Sequence, residues 1–398
     1  MRGLDKKLIA ISISALFVDF CAGVIRPVLP LLSRQFDASY FLVGLVASSY
    51  GIARLAVDVP FGSIVDRAGK RPLLLGGILI HIFGSAIGAL ATNIYHLILF
   101  SFLRGVAYAA YFDACYTLVG DIAPANKRAQ YMSINLASSL LGISVGSAIG
   151  GEVSNKFGLH FPFVLTLLVL LTGCLFTYLA VQEDERPRKV EWIPLSGILR
   201  IRNRNLIVVY VASFVSFFSG MSIVDVFIPL YSRTVLGLSL AEVGFVSTLE
   251  SVSMLTTLLG FGQIADRLSR KTSLFLGFAL LASSTLVLGQ MWNLGMYLVV
   301  SLIFGVSRGI LSPVIRACVM DLADHGRRGT TLGVQRLFCD LGATLGPISL
   351  GHLSDLFGLS AAFSVAATVS ACTCAAVLSM RRMETVVSAG SLSPNELL

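Results

Sequence analysis

Apolar stretches long enough to cross a bilayer recur along almost the whole chain, at about 8–32, 41–63, 72–90, 96–119, 130–154, 161–181, 206–231, 241–264, 272–289, 294–320, 330–354 and 360–380. A spanning helix needs about 20 mainly apolar residues, so the pattern predicts twelve membrane helices joined by short turns. Composition agrees. Only 13% of the 398 residues are charged and 55% are hydrophobic, about half the charge of an ordinary soluble protein. Soluble enzymes and nucleic-acid binders are excluded, and the fold class expected is an all-α polytopic membrane protein.

The net charge of +8 is explained by where the basic residues fall. Twenty-one of the 30 Lys and Arg lie before the first span, between spans 2–3, 4–5, 6–7, 8–9 and 10–11, or after the last. The opposite side has Arg34, Lys156 and Arg233. By the positive-inside rule both termini are cytoplasmic, and the cell (plasma or inner) membrane is the expected location. Some attraction to anionic membrane lipid follows from the same basic clusters. Arg2, Lys6 and Lys7 before an apolar run look like a signal peptide, but the run continues to Leu32 with no small-x-small cleavage site. It reads as an uncleaved first span. The seven cysteines all lie in apolar runs without metal-ligand spacing, so they are read as packing thiols, with no metal site and no cofactor.

The chain repeats itself. A shift of 200 residues lays Gly62 on Gly262, Asp66-Arg67 on Asp266-Arg267, Asp121 on Asp321, Arg128 on Arg328, Gly142 and Gly146 on Gly342 and Gly346, and Phe157-Gly158-Leu159 on Phe357-Gly358-Leu359. The expected organisation is a six-helix bundle over 1–181, a cytoplasmic linker over 182–205, a second six-helix bundle over 206–383 and a cytoplasmic tail over 384–398. Two similar bundles in one membrane are the mark of a transporter that rocks one half against the other.

The loop motif Gly62-Ser-Ile-Val-Asp66-Arg67-Ala-Gly69-Lys70-Arg71 resembles the signature of the major facilitator superfamily between spans two and three. It recurs as Gly262-Gln-Ile-Ala-Asp266-Arg267-Leu-Ser269-Arg270-Lys271, with Ser269 in place of the second glycine. The resemblance covers essentially the whole chain. It implies the fold of that family, two pseudo-symmetric six-helix bundles, and a gating role for these loops. In span five, Gly142-x-x-x-Gly146-Ser147-x-x-Gly150-Gly151 resembles the antiporter motif, with Ser147 where a proline is usual. Small residues at this spacing let helices approach closely. In this family the motif accompanies exporters of the drug:proton antiporter type. Asp19, followed by Pro27 and Pro30, is similar to the acidic residue of amine and drug exporters. Arg104 directly precedes Gly105, whereas the family places its span-four arginine four residues before a glycine.

Six arginines lie within spans: Arg26, Arg54, Arg104, Arg308, Arg316 and Arg336. Against them stand Asp19, Asp58, Asp113, Asp225, Glu250 and Asp340, with Glu152 and Asp355 nearer the outer ends. Each costs about 2.5–3.5 kcal/mol near a bilayer midplane, so they must face water or one another. None lies in spans 3, 6, 9 or 12, which the family resemblance makes the lipid-facing supports; a charged central cavity is expected. Arg54–Asp58 and Arg336–Asp340 are four apart and share a helix face, as structural pairs or, for Asp58, a gate. Asp121 with Arg128, and Asp321 with Arg328, are expected to belong to cytoplasmic charge networks around the repeated loops. Asp19 and Arg26, seven apart, share a face and are expected to line the pore.

The proton-coupling candidates are Asp19, Asp113, Asp225 and Glu250, because a carboxylate in low dielectric favours its neutral form. The substrate-binding candidates are Asp19, Arg26, Arg104, Arg308 and Arg316. The expectation is a monomeric, proton-coupled transporter, not an enzyme, that works by alternating access and exports small amphipathic organic compounds. Transport of organic anions on the arginines is the alternative. A non-transporting membrane sensor is a remote one.

Overall fold

The computed structural model describes residues 6–124, 127–181, 203–265, 268–323 and 328–380. Among them every regular element is helical. Twelve helices follow one another: α1 (Lys6–Gln35), α2 (Tyr40–Ala68), α3 (Lys70–Ala89), α4 (Ile94–Ile122), α5 (Arg128–Phe157), α6 (Phe161–Ala180), α7 (Arg204–Thr234), α8 (Leu240–Ala265), α9 (Arg270–Leu288), α10 (Leu294–Leu322), α11 (Arg328–Phe357) and α12 (Leu359–Leu378). Eleven are long and apolar enough to cross a membrane. The exception is α11, whose Gln335, Arg336 and Asp340 dilute its hydropathy. The linker expected at 182–205 lies mostly, and the tail at 384–398 wholly, outside the described residues.

Local chemistry sets the helix ends in both halves alike. The Asn93 side chain accepts from the Tyr95 and His96 amides to start α4, and Asn293 accepts from the Gly295 amide to start α10. Side-chain acceptors at this position satisfy amides that the helix itself leaves unpaired. Gly158 and Gly358 stop α5 and α11 with φ of 89° and 84°, a backbone conformation that glycine adopts at little cost. α1 is interrupted between Ile25 and Leu29, where Pro27 removes an amide and disfavours helical geometry before it. α7 is wound as π-helix over Ser216–Met221 and Ile223–Phe227 before Pro229.

Within each half the helices pack as a bundle: α1 on α5 and α6, α2 and α3 on α4, then α7 on α11, α8 and α9 on α10, and α9 on α12. Two long seams, α2 on α11 and α5 on α8, join the halves. Helices α3, α6, α9 and α12 pack mainly within their own half. The apolar window of α6 is only 28% buried against 67% for α1, and Leu168, Leu171, Leu175 and Leu179 of α6 are exposed. Such faces belong against lipid tails, and the charge-free spans are these peripheral ones.

Candidate functional site

Short turns make successive helices alternate in direction, so the α2–α3, α4–α5, α8–α9 and α10–α11 turns share one end of the molecule. Midway along the helices the halves part around a cavity of about 920 Å³. The lining extends to Thr117 of α4 and Leu332 of α11, close to that shared end, so the cavity faces the basic loops. Its size is that of a small-molecule site.

α4 supplies an aromatic wall. Tyr108, Phe112 and Tyr116 recur at i, i+4 spacing and therefore share a face, with ring centroids 5.2 and 4.1 Å apart. Phe217, Met221 and Met254 add apolar surface, and Arg54, Arg308, Arg316, Arg336, Asp113 and Asp340 add charge. The charges are largely cross-linked between helices. Arg54 of α2 lies 3.2 Å from Asp340 of α11, and Arg336 of α11 bonds Asp113 of α4. Both contacts bridge the two halves. These contacts reach across to facing helices, beyond the same-helix pairings Arg54–Asp58 and Arg336–Asp340 that helix spacing suggests; the Asp58 side chain lies outside what is described.

Beyond the cavity, toward the opposite end, four charges gather. Arg26 Nε of α1 lies 2.9 Å from Asp225 Oδ1 of α7, a contact of charge without hydrogen-bond alignment. Arg26 Nη1 lies 3.6 Å from Glu250 Oε2 and donates to Ser251 Oγ at 3.1 Å. Arg308 Nη1 donates to Glu250 Oε1 at 2.5 Å, and Glu250 is essentially inaccessible. Two cations and two anions thus neutralise one another across the halves. Past this cluster the seams close tightly: a Cβ added to Gly151 of α5 would lie 2.6 Å from the Cα of Gly244 of α8. On the other seam Asp355 of α11 accepts from the Tyr40 and Phe41 amides at the start of α2, both at 2.8 Å.

Asp19 sits apart, 2% exposed. The Tyr108 hydroxyl donates to its Oδ1 at 3.0 Å, and Ser139 of α5 lies beside the same carboxyl. Among the described residues no arginine or lysine forms an ion pair with it. Neither Asp19 nor Arg26 lines the cavity, against the expectation from their seven-residue spacing. Arg26 falls where α1 is interrupted, so the helical face does not carry through. Arg104 is also outside the lining; its guanidinium lies over the Tyr50 and Phe100 rings at 5.0 and 5.8 Å. Arg316 is exposed within the cavity wall.

The loop motifs behave as copies. Gly69 turns the chain at φ 88°. In the second copy Ser269 instead caps α9, accepting from the Thr272 amide at 3.1 Å, so the serine replaces a turn by a cap. Lys70 pairs with Asp121, and Arg270 with Asp321 at 3.1 Å. Asp121 and Asp321 thus belong to charge networks at this end of the molecule, with the first residues of α3 and α9 as partners; the Arg328 side chain lies outside what is described. Arg71 donates to the Tyr178 carbonyl, and Lys271 to those of Leu378 and Met380, cations at helix C-termini. Gly62 and Gly262 fall within α2 and α8; Asp266, Arg267 and the side chains of Asp66 and Arg67 lie outside what is described. Gly142, Gly146 and Gly150 bring α5 against the α1 backbone at Leu16, Phe20 and Val24, while Gly151 belongs to the seam. Residues missed by the sequence reading are the aromatic wall, Tyr50, Ser139 and Gly244. The i, i+4 repeat of Tyr108, Phe112 and Tyr116 was a visible signal for the first.

The family model of the Major Facilitator Superfamily matches residues 11–347, and again 233–394. The chain is 26% identical over 365 residues to Multidrug resistance protein 2 of Bacillus subtilis, covering 88% of this chain and 90% of that one. It is 22% identical over 385 residues to an uncharacterized MFS-type transporter of Methanocaldococcus jannaschii, covering 93% and 97%. The crystal structure of a peptide transporter, POT, in complex with sulfate superposes with a TM-score of 0.80 over 95% of this chain and 94% of that chain, at 16% identity. That likeness establishes the fold.

Proposed function

Because the chain belongs to the Major Facilitator Superfamily, and is therefore an integral membrane transporter and not an enzyme, we propose that it is a proton-coupled exporter of small amphipathic organic compounds. The observation that carries this reading is the cavity between the halves, open toward the basic loops and closed at the other end by the seams. Its walls join rings and thioethers to charged groups, a lining suited to molecules with an apolar body and a polar end. The similarity to a protein named for multidrug resistance supports export.

In this reading the basic loops face the cytoplasm, in a plasma or inner membrane, and the arrangement is the inward-facing state. The bundles 1–181 and 206–383 rock about the α2–α11 and α5–α8 seams, one chain sufficing as a monomer. Asp19 carries the proton. It is the one carboxyl among the four candidates without an arginine in contact, and its bonded partner Tyr108 also lines the cavity. Tyr108 links the two, since its hydroxyl donates to the Asp19 carboxyl from the wall that a substrate contacts. Asp225 and Glu250, held by Arg26 and Arg308, serve as the closure on the outer side, and Asp113 belongs to the cavity wall.

The test is reconstitution in liposomes with an imposed pH gradient, a trapped pH dye and a panel of amphipathic cations, neutral compounds and anions. Substrate-driven proton flux that is lost in Asp19→Asn supports the reading; undiminished coupling in that variant would falsify the proton assignment. The alternative of an anionic substrate draws on a separate feature of the cavity.

A further inference from the structure

Three of the four arginines lining the cavity are held by carboxylates: Arg54 by Asp340, Arg308 by Glu250 and Arg336 by Asp113. Arg316 is not. It is exposed in the wall contributed by α10, and among the described residues it forms no ion pair and no hydrogen bond. It lies close enough to the Tyr116 hydroxyl and the Cys339 thiol to act on both electrostatically, and neither balances a guanidinium. The cavity therefore presents one uncompensated positive charge, beside the end of the Tyr108–Phe112–Tyr116 wall.

A cation entering this space finds both lining carboxylates, Asp113 and Asp340, already engaged by arginines. An anion finds a guanidinium whose planar fork matches a carboxylate or sulfonate with two parallel hydrogen bonds. The charge is single, which fits a monoanion. The volume and the aromatic wall are far more than an inorganic ion fills, and rings stacked along α4 offer offset or edge contacts to an aromatic body.

We propose that the cavity takes an amphipathic organic monoanion, its carboxylate or sulfonate on Arg316 and its aromatic body along Tyr116, Phe112 and Tyr108. The proposal rests on the transporter reading above and names its substrate class. It also separates the arginines: Arg316 is the anchor, whereas Arg26 and Arg308 are committed to the charge cluster and Arg104 to the rings of Tyr50 and Phe100.

The experiment measures equilibrium binding of three probes on one naphthalene body to the full-length protein in detergent: 2-naphthoate, 2-naphthamide and (2-naphthylmethyl)ammonium. The expected result is naphthoate bound at least tenfold more tightly than the other two. Arg316→Gln is expected to reduce naphthoate to the level of the amide, and Arg316→Lys to retain most of the preference. Both variants are expected to melt like the parent without probe, since Arg316 makes no bond to lose. Equal binding of all three, no binding, preference for the ammonium, or a naphthoate preference that survives Arg316→Gln overturns the proposal. Proton-driven transport is read separately in proteoliposomes. Arg316-dependent naphthoate binding without proton-driven movement overturns the exporter reading and leaves the anion site standing. Proton-driven movement of the ammonium, with naphthoate unbound, does the reverse.

Discussion

Gly44 of α2 and Gly244 of α8 stand 200 residues apart and occupy the same place in two different seams. Gly44 faces the carbonyl of Pro347, and Gly244 faces that of Ser147, itself 200 residues before Pro347. Their opposite numbers follow the same rule, Gly351 facing the Tyr40 carbonyl and Gly151 that of Leu240. The repeat in the chain thus becomes a pair of matched contacts of backbone on backbone, and both close the end of the molecule away from the basic loops.

No side chain fits at Gly244 unless that seam spreads, since its Cβ would lie 2.6 Å from the Gly151 Cα. Overpacking of this kind costs about 1–3 kcal/mol, and here the strain falls on one conformation. Gly244→Leu is expected to fold, to melt a few degrees lower, and to lose at least tenfold in transport rate because the closed outer end is disfavoured. Transport at the parent rate would contradict a closing role for the seam.

Glu250 lies between Arg26 and Arg308. Glu250→Gln leaves two guanidinium groups facing each other with little exposure, and breaking a buried ion pair from one side costs about 3–5 kcal/mol. Removing Arg308 as well relieves most of that cost. A double-mutant cycle with Arg308→Gln, read by thermal melting, is expected to show the double variant more stable than Glu250→Gln alone. Additive losses would mean that the two residues act independently.

The loop pairs Lys70–Asp121 and Arg270–Asp321 are partly exposed, where an ion pair contributes only about 0–1 kcal/mol. Asp121→Asn and Asp321→Asn should each shift the melting temperature by no more than about 4 °C. Because the two sites are copies, their effects on transport rate should match within about twofold. A large asymmetry would show that the halves have diverged in the use of this loop.

Exchange of one inward proton for one outward monoanion carries two positive equivalents inward, so 100 mV of inside-negative potential contributes about 4.6 kcal/mol. Exchange for a monovalent cation carries none. In proteoliposomes without a pH gradient, a valinomycin-induced potassium diffusion potential is therefore expected to accelerate 2-naphthoate efflux. Indifference of the rate to potential would count against a monoanion exchanged for a proton.

Much of the fold is legible in the residues, and the reason is the solvent. A bilayer forces each apolar run of this length into a helix, and the 200-residue repeat needs no structure to be seen. The site is harder to read, because helix arithmetic reports only neighbours on one helix. Arg54 meets Asp340 across the seam, a contact that no spacing along α2 announces. Asp19 and Arg26 share a face only while α1 stays helical, and Pro27 ends that immediately after Arg26. The ring series on α4 was visible at its spacing, yet the same spacing marks a core stripe. Which of the two it is depends on how far α4 stands from α7 and α10, a distance set by helices far along the chain.

The π-wound stretch of α7 bears directly on the ion pair it carries. Its hydrogen bonds reach one residue further than those of an α-helix, so Ser216–Phe227 stores surplus residues beside Asp225. Each surplus residue surrendered to ordinary winding turns the rest of the helix by about 100°. A twist of that size would carry the Asp225 carboxylate off Arg26 with no tilt of the helix axis. The π-wound stretch is in that sense a screw thread, and the bolt it would turn is the ion pair between α1 and α7.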